Sequence, residues 1–346
     1  MIVGDSMTMG SRGDYTWRYR LWRHLRAYGV DCAFTGPYTG VYDPVADAAC
    51  HDGYRDPGFP TAHHAAWGRP MARLNERIGA DVAHHRPDTL LVMTGLIDLG
   101  FYTLADATER NLRAFVAAVR AGNPRARIVL APVPVNDRAL ADPLFAAQRT
   151  DFNARQARVV ADLSTPDAPL LRTDALAGWD LLADTYDGTH PNVRGEHKIA
   201  AAFAETLHGR LSVGGPYGPI PHPTAGVPAP AAPTAHVTGT RAELRWPPVP
   251  GADRYHVLVR DHDGGHPWTR LPWPVTHTAC PFDDLRPGHA YAFAVRALRG
   301  NEESPSSAPL LVITDGHRGM PEVEAGVPGC ERRTDGRQPA GGPAER

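Results

Sequence analysis

Apolar and polar positions over the first two thirds of the chain follow two alternating patterns. Short continuous apolar runs bounded by turn residues recur as "MIV" at 1–3, "VDCAFTG" at 30–36, "TLLVMTG" at 89–95, "ARIVLAPV" at 126–133 and "PLLRTDA" at 169–175. Runs of this kind predict strands covered on both faces. Between them lie stripes at helical spacing. Trp17, Leu21, Leu25 and Tyr28 form one, ended by Gly29, and Met71, Leu74, Ile78 and Val82 form a second. Leu112, Phe115, Val116 and Val119 form a third, with Thr103 and Asp106 expected to cap it. Strands separated by helices predict an α/β fold with a parallel sheet covered on both sides, whose strand carboxyl ends gather any site.

The pattern changes after residue 212. Residues 213–228 are rich in proline, glycine and alanine and read as a semi-extended linker. Over 229–315, "RAELRWPPV", "RYHVLVRD" and "HAYAFAVRAL" alternate apolar and polar residues at period two, which predicts a small antiparallel sandwich. Residues 316–346 are polar and Gly/Pro-rich, and a disordered tail is expected there. Because a parallel sheet has its own core and the linker carries few contacts, residues 1–212 are expected to fold alone.

Composition narrows the function classes. The 346 residues are 42% hydrophobic and carry a formal charge of −2, so there is no basic field to hold nucleic acid. All but one of the 36 basic residues are arginine, the exception being Lys198, a bias that reads as codon usage of a GC-rich genome. No run approaches the ~18 apolar residues of a membrane span. No charged segment followed by an apolar run precedes Gly4, so the chain as written reads as cytoplasmic, and as secreted if its start lies upstream. The four cysteines form no C-x-x-C pair, which disfavours a cysteine metal site, and no cofactor is called for. Cys32 and Cys50 stand open as a disulfide or as two separate thiols. The adjacent pairs His63-His64 and His84-His85 do not share a helix face and read as surface histidines rather than metal ligands.

Candidate chemistry sits at the two ends of the α/β region. In "VGDSMTMG", Ser6 stands just past the first strand. A serine hydroxyl is a weak nucleophile unless a histidine takes its proton and an acceptor orients that histidine. The stretch "YDGTHPNVRGEHKIA" supplies Asp187 and His190, three residues apart ahead of an expected helix. "GDSMT" lacks the second glycine of G-x-S-x-G, which disfavours the nucleophile elbow of α/β-hydrolases.

Gly4-Asp5-Ser6 with Thr8 and Gly10, together with Asp187-Gly188-Thr189-His190-Pro191, resembles the SGNH hydrolase superfamily, the GDSL esterases and lipases, over about residues 1–210. The resemblance implies a flavodoxin-like three-layer α/β/α domain in which Ser6 is the nucleophile, His190 the base and Asp187 its partner. It further implies that the backbone N–H groups of Ser6 and Gly68 form an oxyanion hole. The family's G-x-N-D block reads Gly95-Leu96-Ile97-Asp98 here, so Ile97 occupies the position of an oxyanion-donating asparagine. Thr94 and Asn75 are the polar candidates to replace it. Trp246, Tyr255 and "DLRPGHAYAFAVRAL" resemble a fibronectin type III module, which offers a surface for polysaccharide or protein.

The resulting expectation is a serine esterase acting on a sugar or small-molecule ester through an acyl-Ser6 intermediate, active on small esters without the C-terminal module. Two other readings stand beside it. One is an acyltransferase with the same residues, and the other is a catalytically impaired domain that binds carbohydrate or protein.

Overall fold

In the computed structural model, described for residues 1–316 apart from 45, 52, 57, 175, 177, 221–225 and 301, five parallel strands form the frame of the N-terminal region. Across the sheet they run His64–Ala65, Ile2–Gly4, Thr89–Met93, Arg127–Leu130 and Leu170–Arg172. One row of Cα partners, His64, Val3, Val92, Leu130 and Arg172, crosses all five. Ile2, Val3, Leu90, Ile128, Val129 and Leu170 are buried between the helical layers, as continuous apolar strands require. Helices Thr16–Ala27 and Val193–Leu211 pack together, with Trp17 stacked on Phe203 at 4.8 Å. Helices Ile78–His85, Ala105–Gly122 and Pro143–Leu163 pack against one another as a second layer. This is the flavodoxin-like three-layer α/β/α arrangement that the sequence predicts.

Several local expectations are corrected. Residues 30–36 form no strand, and the edge beside Ile2–Gly4 is taken by His64–Ala65. Phe34 and Cys32 pack against the core from an irregular segment, so the apolar run is satisfied by burial without a ladder. The second stripe is two helices, Met71–Asn75 and Ile78–His85, interrupted at Glu76 and Arg77. Tyr28 caps its helix and is half exposed. The N-cap residue of Ala105–Gly122 is Leu104, whose side chain makes no capping bond. Gln148 accepts from Ala105 N at 2.7 Å, and Thr103 bonds to Thr108 instead. Cys32 is a free thiol, so it is not bridged to Cys50.

Beyond the linker, two antiparallel sheets face each other. One holds Thr234–Thr238, Arg241–Arg245 and Ala279–Phe282. The other is built on Arg254–Asp261 and Ala290–Arg299, with Thr269–Arg270, Glu302–Glu303 and Leu310–Ile313 at its margins. Leu244, Trp246, Tyr255, Val257, Phe293 and Val295 fill the space between, with Trp246 edge-on to Tyr255 at 5.5 Å. The tail for which disorder is expected lies, from residue 317, outside the described residues.

One buried ion cluster fixes the segment that leads into the candidate site. Asp184, fully buried, accepts from Lys198 Nζ at 2.6 Å, Arg194 Nη1 at 2.9 Å and Asp180 N at 2.7 Å, while its carbonyl accepts from Asn192 N. Removing one partner of a buried pair leaves an uncompensated charge, at a cost of roughly 3–5 kcal/mol. Lys198→Met is therefore expected to lower unfolding stability by about the lower end of that range, since Arg194 remains, as read by urea titration. A variant as stable as the parent would show that Arg194 alone neutralises Asp184.

Candidate active site

Ser6 stands one residue past the first strand, Ile2–Gly4, and opens the four-residue helix Ser6–Met9. The chain enters this turn tightly, because a side chain at Gly4 would collide with Thr8 and with the Met93 carbonyl. Asp5 caps the turn, its Oδ1 accepting from Met7 N at 3.1 Å. Burial pushes the Asp5 carboxyl up to about 7, against the opposing effect of that bond.

The Asp187–His190 turn sits between the ion cluster and helix Val193–Leu211. Tyr186 N donates to His190 O at 3.1 Å, and Thr185 bridges to Pro191, which closes the turn on itself. Asp187 Oδ1 accepts from Thr189 N at 2.9 Å and His190 N at 2.7 Å, while Oδ2 takes His190 Nδ1 at 2.6 Å. The three-residue spacing thus lets one carboxylate order the turn and the imidazole together. With Nδ1 donating to Asp187, Nε2 presents its lone pair to the Ser6 hydroxyl at 2.9 Å. Burial works against ionised Asp187, but the bonds and charge of His190 hold its carboxyl below the usual range.

Aromatic rings flank the imidazole. Trp67 stacks on His190 at 4.4 Å and Tyr42 on Trp67 at 4.1 Å, and Tyr186 also lies nearly parallel to the imidazole at 5.9 Å. A cavity of about 350 Å³ brings together Ser6, Gly68, Ile97 and His190. Trp67, Leu96, Phe101 and Phe145 give it apolar walls, and Asn136 and Arg138 are its polar margin. The two loops that carry Gly68 and Ile97 are tied by Asp98, whose carboxylate accepts from Met71 N at 3.0 Å. Burial raises the Asp98 carboxyl despite that bond.

All five residues singled out at the sequence level, Ser6, Asp187, His190, Gly68 and Ile97, meet at this place. Thr94 and Asn75 do not line the cavity, and the Asn75 amide is engaged with the Asn111 carbonyl at 2.9 Å. The polar amide that does line it is Asn136, which follows a different strand. His63 and His64 are buried, contrary to the surface reading. His63 Nε2 bonds the Gly40 carbonyl and His64 Nε2 the Asp81 carboxylate, each at 2.8 Å. Trp67, Tyr42 and Tyr186 were not singled out. Trp67 stands next to Gly68 and Tyr186 next to the Asp187–His190 block, while Tyr42 carries no such signal.

Residues 2–198 match the family model described as GDSL-like Lipase/Acylhydrolase, and residues 228–313 match that of the fibronectin type III domain. The chain belongs to the GDSL-like lipase/acylhydrolase family and carries a C-terminal fibronectin type III domain. A carbohydrate esterase family 3 structure from Talaromyces cellulolyticus is similar at 22% identity over 61% of this chain and 97% of its own, with a TM-score of 0.51. An acetyl esterase serine-to-alanine mutant with acetate ion is similar at 22% identity over the same shares, with a TM-score of 0.50. At that identity both share the SGNH fold.

The raised carboxyls have a consequence for pH. Asp5 ordinarily ionises near 3.8, but near 7 when folded. Between those values the folded chain keeps a proton that the unfolded chain releases, so stability falls as pH rises across this window. Glu196, raised to about 7 by burial and by nearby Asp14, acts in the same direction. Asp5→Asn is expected to flatten, without abolishing, the decline in urea-unfolding stability between pH ~4 and ~7. An unchanged slope would mean that Asp5 is ionised in the folded protein.

Proposed function

We propose that this chain is a serine esterase that passes the acyl group of a sugar or small-molecule ester to Ser6 and then to water. His190 Nε2 takes the hydroxyl proton as Ser6 Oγ attacks the carbonyl carbon. Asp187 stays ionised and stabilises the imidazolium that results. The backbone N–H groups of Ser6 and Gly68 receive the oxyanion. Collapse of the tetrahedral intermediate returns the proton to the departing alcohol, and water, deprotonated by the same imidazole, releases the acid. The observation that carries this reading is the hydrogen-bonded line from Asp187 through His190 to Ser6, at 2.6 and 2.9 Å, opening on an apolar-walled cavity. The carbohydrate esterase and acetyl esterase among the structural neighbours support an acylated carbohydrate as substrate.

A fluorophosphonate probe followed by mass spectrometry tests the nucleophile without knowledge of the substrate, and label is expected on Ser6. Ser6→Ala and His190→Ala should each bring ester hydrolysis close to background, and the double variant should be no worse, because the residues act as one unit. A strongly additive double variant, or a folded parent that takes no label, would remove the reading.

Ile97 favours a second reading, acyl transfer to an alcohol, since an apolar wall beside the serine disfavours water. Ile97 also brings no donor to the oxyanion, and one such donor elsewhere is worth roughly a hundred- to a thousandfold in turnover. Ile97→Asn should therefore raise hydrolysis of an activated ester by at most that factor if the hole limits turnover. It should raise hydrolysis relative to transfer if dryness governs the outcome. A folded variant with neither change would assign the third oxyanion contact elsewhere, and its melting temperature must be followed because a buried amide without partners destabilises.

A further inference from the structure

The fibronectin type III domain touches the loop that carries the base. Its strand Ala290–Arg299 ends at Arg299, whose Nη1 donates to Asp14 Oδ1 of the N-terminal domain, with side chains 12% and 9% exposed. The same guanidinium lies 4.1 Å from the centre of the Tyr186 ring. Asp14 Oδ2 accepts from Ser11 N at 2.7 Å, and Ser11 Oγ bonds the Tyr186 hydroxyl at 3.1 Å. Tyr186 is thus held at its ring face by Arg299 and at its hydroxyl by a side chain one step removed from Arg299's own partner. One residue on, Gly300 runs so close that a side chain there would collide with the Tyr186 carbonyl. Glu302 and Asn192, the residue that caps the helix following His190, line one cleft with Tyr186 and Arg299.

The contacts of Arg299 with the ring and of Gly300 with the carbonyl both land on Tyr186, which opens the segment that closes on itself through the Tyr186–His190 backbone bond. Tyr186 in turn lies nearly parallel to the imidazole. We propose that the C-terminal domain is part of the catalytic unit and that Arg299 is a positioning residue. Through Tyr186 it holds the His190 imidazole at hydrogen-bond distance from Ser6. The inference rests on His190 acting as the base. It makes the domain a latch, against the expectation that small-ester activity is independent of it, and it implies that residues 1–212 without the latch turn over slowly.

The test uses the full chain. Arg299→Met keeps the length of the side chain but removes the cation, and displacement of a reacting group by about an ångström costs up to ~100-fold. On p-nitrophenyl acetate, kcat is expected to fall roughly ten- to a hundredfold with KM unchanged. Arg299→Lys, which keeps a cation but not the planar guanidinium, should recover only part of the loss. Arg299→Met combined with Asp14→Asn removes the ion pair as a unit, covering the case in which the single variant unfolds around an unpaired Asp14. A readout that needs no turnover is the downfield proton magnetic resonance of His190 Nδ1–H, which should broaden by solvent exchange in the Met variants and stay sharp in the parent. Parent-like kcat together with a sharp Nδ1–H signal in folded Met variants would overturn the latch. Failure of the parent itself to label at Ser6 would count against the esterase reading, and the resonance arm would then decide the latch alone.

Discussion

An imidazole that meets a serine hydroxyl at 2.9 Å from 184 positions away in the chain cannot sit on a free loop. Most of the organisation around the candidate site can be traced to holding that imidazole. Asp187 alone takes three hydrogen bonds from the turn, two from backbone N–H groups and one from the imidazole. Because the oxygen that orients the ring belongs to the carboxylate that orders the backbone, the ring cannot rotate without loosening the turn. Behind the turn, the buried Asp184 cluster ties Asp180, Asn192, Arg194 and Lys198 to one point. The turn is thus fixed on the side leading in and the side leading out.

The sheet supplies the other half of the geometry. A single row of partners crosses all five strands, so Ser6 after the first strand and Ile97 after the third emerge on the same edge. Gly68 reaches that edge because His64–Ala65 pairs beside Ile2–Gly4. Its loop is then fastened to the Ile97 loop by the bond from Met71 to Asp98. In the family's G-x-N-D block the aspartate is therefore a clamp here, and it is kept although its neighbour is isoleucine. The tie between the two loops does not depend on the residue at position 97.

What could be read from the sequence follows from the range of the forces involved. Four of the five strands, helices Thr16–Ala27, Ala105–Gly122 and Val193–Leu211 and the Asp187–His190 spacing are local, and periodicity and short motifs report them, whereas helix Pro143–Leu163, with few fully buried positions, is not read from its pattern. The fifth strand is two residues long and lies inside a loop, where no periodic signal can form. His63 and His64 read as surface residues because their partners, Gly40 and Asp81, stand 23 and 17 positions away. Trp67 was invisible as a wall of the site for the same reason, since its stacking partners Tyr42 and His190 come from distant segments. Ser6, Gly68, Ile97, Asp187 and His190 could be named in advance only because block motifs carry the memory of a fold that periodicity does not.

The join between the domains lay beyond the reach of any pattern in the chain, since Asp14 and Arg299 are 285 positions apart. Its chemistry indicates what such a join is for. Burying a cation against a carboxylate costs desolvation that their attraction roughly offsets, so an ion pair of this kind adds little net stability compared with an apolar contact. What it adds is direction, because a planar guanidinium bonded to Asp14 through Nη1 and lying against the Tyr186 ring accepts few orientations. A tether meant only to keep two domains near each other has no need of that selectivity, and a Pro/Gly linker already provides nearness. An ion pair set against the ring that neighbours the imidazole is better explained by the orientation it favours for that imidazole than by the affinity it lends to the join.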